Sequence, residues 1–112
     1  MPEPVIIDIS PLELKQRLDS GEDILVIDVR EDWELAITSL PFAHQIRMVE
    51  ILRHLDKIPK DKPVVIMCRS GSRSSRTIEM LQLKGYENLL NLDGGILNWA
   101  REVDQTMVLH YT

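Results

Sequence analysis

Cysteine is the scarcest chemistry in this 112-residue chain, with a single copy at Cys68. One cysteine excludes an internal disulfide and any multi-cysteine metal site. It also suits a reducing compartment, so the cytoplasm is the expected location. Positive charge is in deficit: 13 Lys and Arg against 18 Asp and Glu give a formal net charge of -5. Nothing here balances a phosphate backbone, and nucleic acid is not an expected partner. No apolar run is long enough to cross a membrane, and the start, Met1-Pro2-Glu3-Pro4, lacks the basic and apolar segments of a signal peptide. Internal repeats and low-complexity segments are absent. The histidines, His44, His54 and His110, show no metal-ligand spacing and read as surface or packing residues, so no metal and no cofactor are expected. What remains is 44% hydrophobic and 28% charged, as in ordinary globular proteins. The length suits one domain spanning 1–112, with 103–112 as a tail.

Val5-Ile6-Ile7 is a β-branched run that predicts a first strand. Ser10 before Pro11 predicts a helix start, with serine as N-cap, proline in the first turn and Glu13 completing a capping box. Leu12, Leu14 and Leu18 are its apolar positions, and Gly21 is its stop. Ile24-Leu25-Val26-Ile27 is continuously apolar, as in a strand buried on both faces. Asp28 and Arg30 follow where strand meets loop, a place for a carboxylate to hold amides and an arginine to pair. Met48, Val49, Ile51, Leu52 and Leu55 predict a short amphipathic helix. A charged, proline-bounded turn over 58–63 then leads to the strand Val64-Val65-Ile66. The spacing of Ile78, Met80, Leu81 and Leu83 predicts a helix over 74–84 capped by Gly85, and Leu89–Leu92 a last strand. Four strand runs alternating with helices argue an α/β domain with a mostly parallel sheet.

Cys68 sits where the third apolar run ends, and ligands of such sheets bind outside the carboxyl ends of strands. The following residues, Arg69-Ser70-Gly71-Ser72-Arg73, form a tight loop into a helix. Inward-turned amides, the positive end of the helix dipole and the charges of Arg69, Arg73 and Arg76 all favour thiolate over thiol. An inert core cysteine is the alternative for a lone thiol, but this loop makes a nucleophile the better reading.

Cys68 to Arg73 resembles the active-site loop of rhodanese-type sulfurtransferases, six residues from cysteine to closing arginine. Related cysteine phosphatases have one more residue before their arginine; here that position is Ser74. Asp28-Val29-Arg30 before the acidic-aromatic segment Glu31–Glu34 resembles a second signature of the family, with Trp33 read as packing. Asp93-Gly94-Gly95 leading into a helix with Trp99 resembles a third. Two positions depart: Ser39 stands where the family often has histidine, and Phe42 where it has glycine, so a different turn is expected. The resemblance implies a rhodanese-like α/β fold, with a central, mostly parallel sheet of about five strands and helices on both faces. It further implies Cys68 as catalytic residue, Arg69, Ser70, Gly71, Ser72 and Arg73 as the substrate-binding loop, and Asp28, Arg30, Gly94 and Gly95 as structural support. Arg73 is read either as an oxyanion ligand or as the residue that closes the loop.

The implied reaction moves sulfane sulfur from thiosulfate or a persulfide donor protein, through a Cys68 persulfide, to cyanide, a thiol or a sulfur-carrier protein. Trp33–Ile37 and the segment from Asn98 to Tyr111 are similar to the rhodanese domain of ubiquitin-activating-enzyme-like adenylyltransferases. That similarity implies a sulfur-carrier protein and its adenylyltransferase as partners. Two alternatives compete: a non-catalytic rhodanese-like interaction or regulatory module, and a phosphatase or arsenate reductase, which the loop length disfavours.

Overall fold

A computed structural model of the chain describes residues 4–107. Five strands, β1 (Asp8–Ile9), β2 (Leu25–Asp28), β3 (Ala43–Gln45), β4 (Val64–Met67) and β5 (Leu89–Leu92), form one sheet in the order β1-β5-β4-β2-β3. All four pairings are parallel, with Ile66 of β4 opposite Ile27 of β2 and Asn91 of β5. Four helices, α1 (Pro11–Asp19), α2 (Asp32–Ile37), α3 (Ser72–Gln82) and α4 (Gly95–Glu102), fill the connections with two 3₁₀ segments, Met48–Arg53 and Leu55–Lys57. None of the described helices is long and apolar enough to cross a membrane.

Alternation along the strands divides the core. Ile27, Val29, Val64, Ile66 and Cys68 face α3 and the 3₁₀ segments, while Val26, Val65 and Met67 face α1 and α4. Both faces of the central strands are therefore dry, which explains their unbroken apolar runs. Ser10 caps α1 through its hydroxyl, which accepts from the Glu13 amide at 3.1 Å. The other half of the expected box is replaced: the Glu13 carboxylate lies 3.6 Å from Arg17. Past the helix, Gly21 takes φ +88°, its amide bonds to Leu18 and the Glu22 amide to Arg17, a Schellman stop.

Several expectations shift. β1 lies beyond Val5–Ile7; Val5 and Ile7 are exposed, and the Val5 carbonyl is taken by the Gln82 side chain (2.7 Å). Ile7 still accepts from the Asn91 amide, so the β-branched run leads into the ladder. Leu12 and Leu83 are exposed, leaving Leu14 in α1 and Ile78 with Leu81 in α3 as the buried apolar anchors. The expected helix at Met48–Leu55 is instead two 3₁₀ segments, in which Met48, Ile51 and Leu55 pack on the core and Val49 and Leu52 are exposed. β3, unmarked by any long apolar run, is an edge strand with His44 and Gln45 exposed. Phe42 adopts no positive φ; its ring stacks at a tilt on Trp99, centroids 5.3 Å apart, and the turn closes without a glycine. Trp33, expected as a packing residue, is 55% exposed. His110 and the end of the tail, 108–112, lie outside the described residues.

Beyond β2 the chain buries an ion pair. Arg30 donates from Nε and Nη2 to the Asp28 carboxylate and from Nη2 to the Thr38 carbonyl, and both side chains are fully enclosed. Removing one member leaves the other as an uncompensated buried charge. Arg30→Ala is expected to cost about 3–5 kcal/mol of stability, read as a fall in the urea midpoint.

Candidate active site

β4 delivers Cys68 to the carboxyl edge of the sheet at 1% exposure. The loop then turns through Gly71, whose φ of +112° is the conformation that a side chain resists. Gly71 is also the N-cap of α3, which begins at Ser72 rather than two residues later. Its amide donates to Cys68 Sγ at 3.0 Å. The sulfur thus faces the end of a helix whose first amides have no intrahelical acceptors.

A second helix holds the loop from behind. The Ile96 amide donates to the Cys68 carbonyl (3.0 Å) and the Leu97 amide to the Arg69 carbonyl (3.1 Å). Gly95 makes this approach possible: a Cβ there would stand 2.4 Å from the Arg69 oxygen and 2.5 Å from the Cys68 oxygen. Both carbonyls are thus directed onto the amides of α4. Gly94, at φ +71°, turns the chain from β5 into α4.

Arg73 closes the loop on a partner that the sequence reading did not single out. Its Nη1 and Nη2 donate to the two carboxylate oxygens of Glu34, each at 2.8 Å. Glu34 lies on α2, is nearly fully buried, and also accepts from the Glu31 amide in a capping box. Burial pushes its carboxyl up, but the Arg73 hydrogen bonds, the Glu31 amide and the charges of Arg73 and Arg30 outweigh burial and hold it below the ordinary value. The fork therefore anchors the loop to α2. The spacing Glu31-x-x-Glu34 was the available signal, masked because the cap is a glutamate rather than serine or threonine.

The remaining expected residues divide. Ser70 is exposed on the loop and Ser72 at the start of α3, Arg69 is half-buried beside Cys68, and Arg76 is exposed on α3. Asp28 and Arg30 pair with each other behind β2. Ser74 and Asn91, both buried, stand with Cys68: Ser74 Oγ is 3.4 Å from Sγ and 2.5 Å from Asn91 Oδ1. A polar residue inside the otherwise apolar run Leu89–Leu92 was the sequence signal for Asn91. Among the described residues no cluster of His, Cys, Asp or Glu suits a metal.

Comparison with known proteins bears on this geometry. The rhodanese-like domain family matches residues 10–102. A sulfurtransferase of Allochromatium vinosum is 45% identical over 94 residues, covering 84% of this chain and 88% of that one. The adenylyltransferase and sulfurtransferase uba4 of Ogataea parapolymorpha is 30% identical over 97 residues, 85% of this chain but 25% of that longer one. Among solved structures, a rhodanese-like domain protein from Staphylococcus aureus superposes with a TM-score of 0.80 at 29% identity, covering 95% of this chain and 100% of that one.

Two substitutions probe the loop's supports. Gly95→Ala drives a methyl group into the loop backbone and is expected to cost about 1–3 kcal/mol in chemical denaturation. A carboxyl held down in the folded state stabilises that state at neutral pH, and the contribution fades as pH falls from 4.5 through the lower folded value. The urea midpoint of the wild type should therefore exceed that of Glu34→Gln at neutral pH, with the gap closing in acid.

Proposed function

The chain belongs to the rhodanese-like domain family, and from that membership we propose that it is a sulfurtransferase in which Cys68 carries the sulfur. The observation that carries the reading is the Gly71 amide, 3.0 Å from Sγ at the head of α3. An anion at that point meets an aligned donor and the positive end of a helix dipole. The Cys68 thiolate attacks the outer sulfur of thiosulfate. A new S–S bond forms at Sγ, the donor's S–S bond breaks, and sulfite leaves with the electron pair. The persulfide's terminal sulfur then carries the negative charge, which the loop amides stabilise. A nucleophilic acceptor, cyanide or a thiol, takes that sulfur and regenerates the thiolate. A persulfide donor protein enters by the same exchange and leaves as a thiol. We assign the donor's oxyanion to Arg69, half-buried beside Cys68.

The combined adenylyltransferase and sulfurtransferase of Ogataea parapolymorpha supports a finer reading, in which the acceptor is a sulfur-carrier protein with its own adenylyltransferase. Any disulfide formed with such a carrier would be resolved by a cysteine elsewhere, since Cys68 is the only one in the chain. The family match over 10–102 supports treating 1–112 as one domain with a tail from 103, and the lone thiol supports a cytoplasmic setting.

Incubation with thiosulfate followed by intact-mass measurement tests the proposal. The expected result is a gain of one sulfur atom, reversed by thiol reductant and absent from Cys68→Ser. No gain with thiosulfate or with a persulfide donor would overturn it and leave a binding module. Hydrolysis of a phosphate ester that is lost in Cys68→Ser would instead reassign the loop to phosphoryl chemistry.

A further inference from the structure

The Ser74 hydroxyl has one hydrogen to give and three acceptors around it. It lies 3.0 Å from the Gly71 carbonyl, 2.5 Å from Asn91 Oδ1 and 3.4 Å from Cys68 Sγ. The Gly71 carbonyl already accepts from the Ser75 amide (3.1 Å) and the Ser75 hydroxyl (2.8 Å), which fill its two lone pairs. Ser74 is therefore left to choose between Asn91 and the sulfur.

Asn91 has its orientation imposed from the other side. Its Nδ2 donates to Asp8 Oδ1 at 3.0 Å, and a carboxylate only accepts, so the amide oxygen must face Ser74. Sheet register builds this contact: Asp8 of β1 is directly opposite Asn91 of β5. Both alternate with residues that face α1 and α4, Ile9 and Leu92, so both turn toward the α3 side, where Cys68 and Ser74 stand. With its hydrogen on Asn91, Ser74 presents a lone pair to Sγ. A thiol can donate into that lone pair, whereas a thiolate is repelled by it and is held by the Gly71 amide alone among these groups.

Building on the reading of Cys68 as the sulfur carrier, we propose that Asp8 and Asn91 are positioning residues that draw the Ser74 hydrogen away from Cys68 and so restrain ionisation of the resting thiol. When negative charge forms on the sulfur, the hydroxyl turns, and the Asp8–Asn91 pair loses its bond to Ser74. Asp8 acts on the sulfur through two intervening side chains and touches no reacting atom.

Alkylation by iodoacetamide at neutral pH reads this directly, because only the thiolate displaces iodide and Cys68 is the sole thiol. Asp8 is exposed on an edge strand, so its replacement leaves the core intact. Asp8→Ala lets the Asn91 amide invert and frees the Ser74 hydrogen for Sγ; the alkylation rate is expected to rise about three- to tenfold. Asp8→Glu keeps an acceptor and should stay at the wild-type rate. In a Ser74→Ala background, Asp8→Ala should have no effect. An unchanged rate in Asp8→Ala would overturn the proposal. So would a rise that persists without Ser74, since that reports only the loss of a nearby negative charge. Alkylation needs no sulfur donor, so a failure here and a failure of persulfide formation are separate results.

Discussion

The carbonyl groups of Cys68 and Arg69 end on the first free amides of α4, and the geometry of the site hangs on that contact. A strand that continued past Met67 would send these carbonyls alternately to its two neighbours. Here both turn the same way, toward a helix terminus that would otherwise expose unsatisfied donors. With these carbonyls taken by α4, Sγ receives the Gly71 amide. The contact is close enough that only glycine fits at position 95. Two helix N-termini therefore serve one loop, α4 by binding its oxygens and α3 by facing its sulfur.

Charge is arranged locally. The chain is acidic overall, yet three arginines near the carboxyl edge of the sheet are matched to carboxylates: Arg30 to Asp28, Arg73 to Glu34, and Arg47 to Glu31 and Glu50. Such matching removes much of the long-range attraction that these arginines would exert on anions. The Glu34–Arg73 fork joins the loop to α2, and α2 is reached directly from the segment that buries Asp28 and Arg30. Loop, ion pair and capping box are thus one mechanical unit on that side of the sheet.

Much of this was legible in the sequence because it rests on local chemistry. Ser10 with Pro11, Gly21, the apolar runs of β2 and β4, and the Gly94-Gly95 pair each have one dominant structural use, and each is found in that use. Residues whose meaning depends on a distant partner were not legible. Glu34 is 39 positions from Arg73, and Asn91 is 17 from Ser74 and 83 from Asp8; no periodicity links them. β3 escaped notice because an edge strand needs little apolar sequence, and the 3₁₀ segments because their amphipathic pattern is shared with an α-helix.

The strand order places the first strand beside the last. β1 pairs with β5, and the loop that holds Cys68 is backed by Ile96 and Leu97 in addition to the Arg73–Glu34 fork that ties it to α2. During synthesis the thiol is made before Asn91, Ile96 and Leu97, so until α4 emerges the loop lacks the amides that take its carbonyls. Contacts so distant along the chain form late in folding. The surroundings of Cys68 are therefore a property of the whole folded domain, not of the segment that carries it.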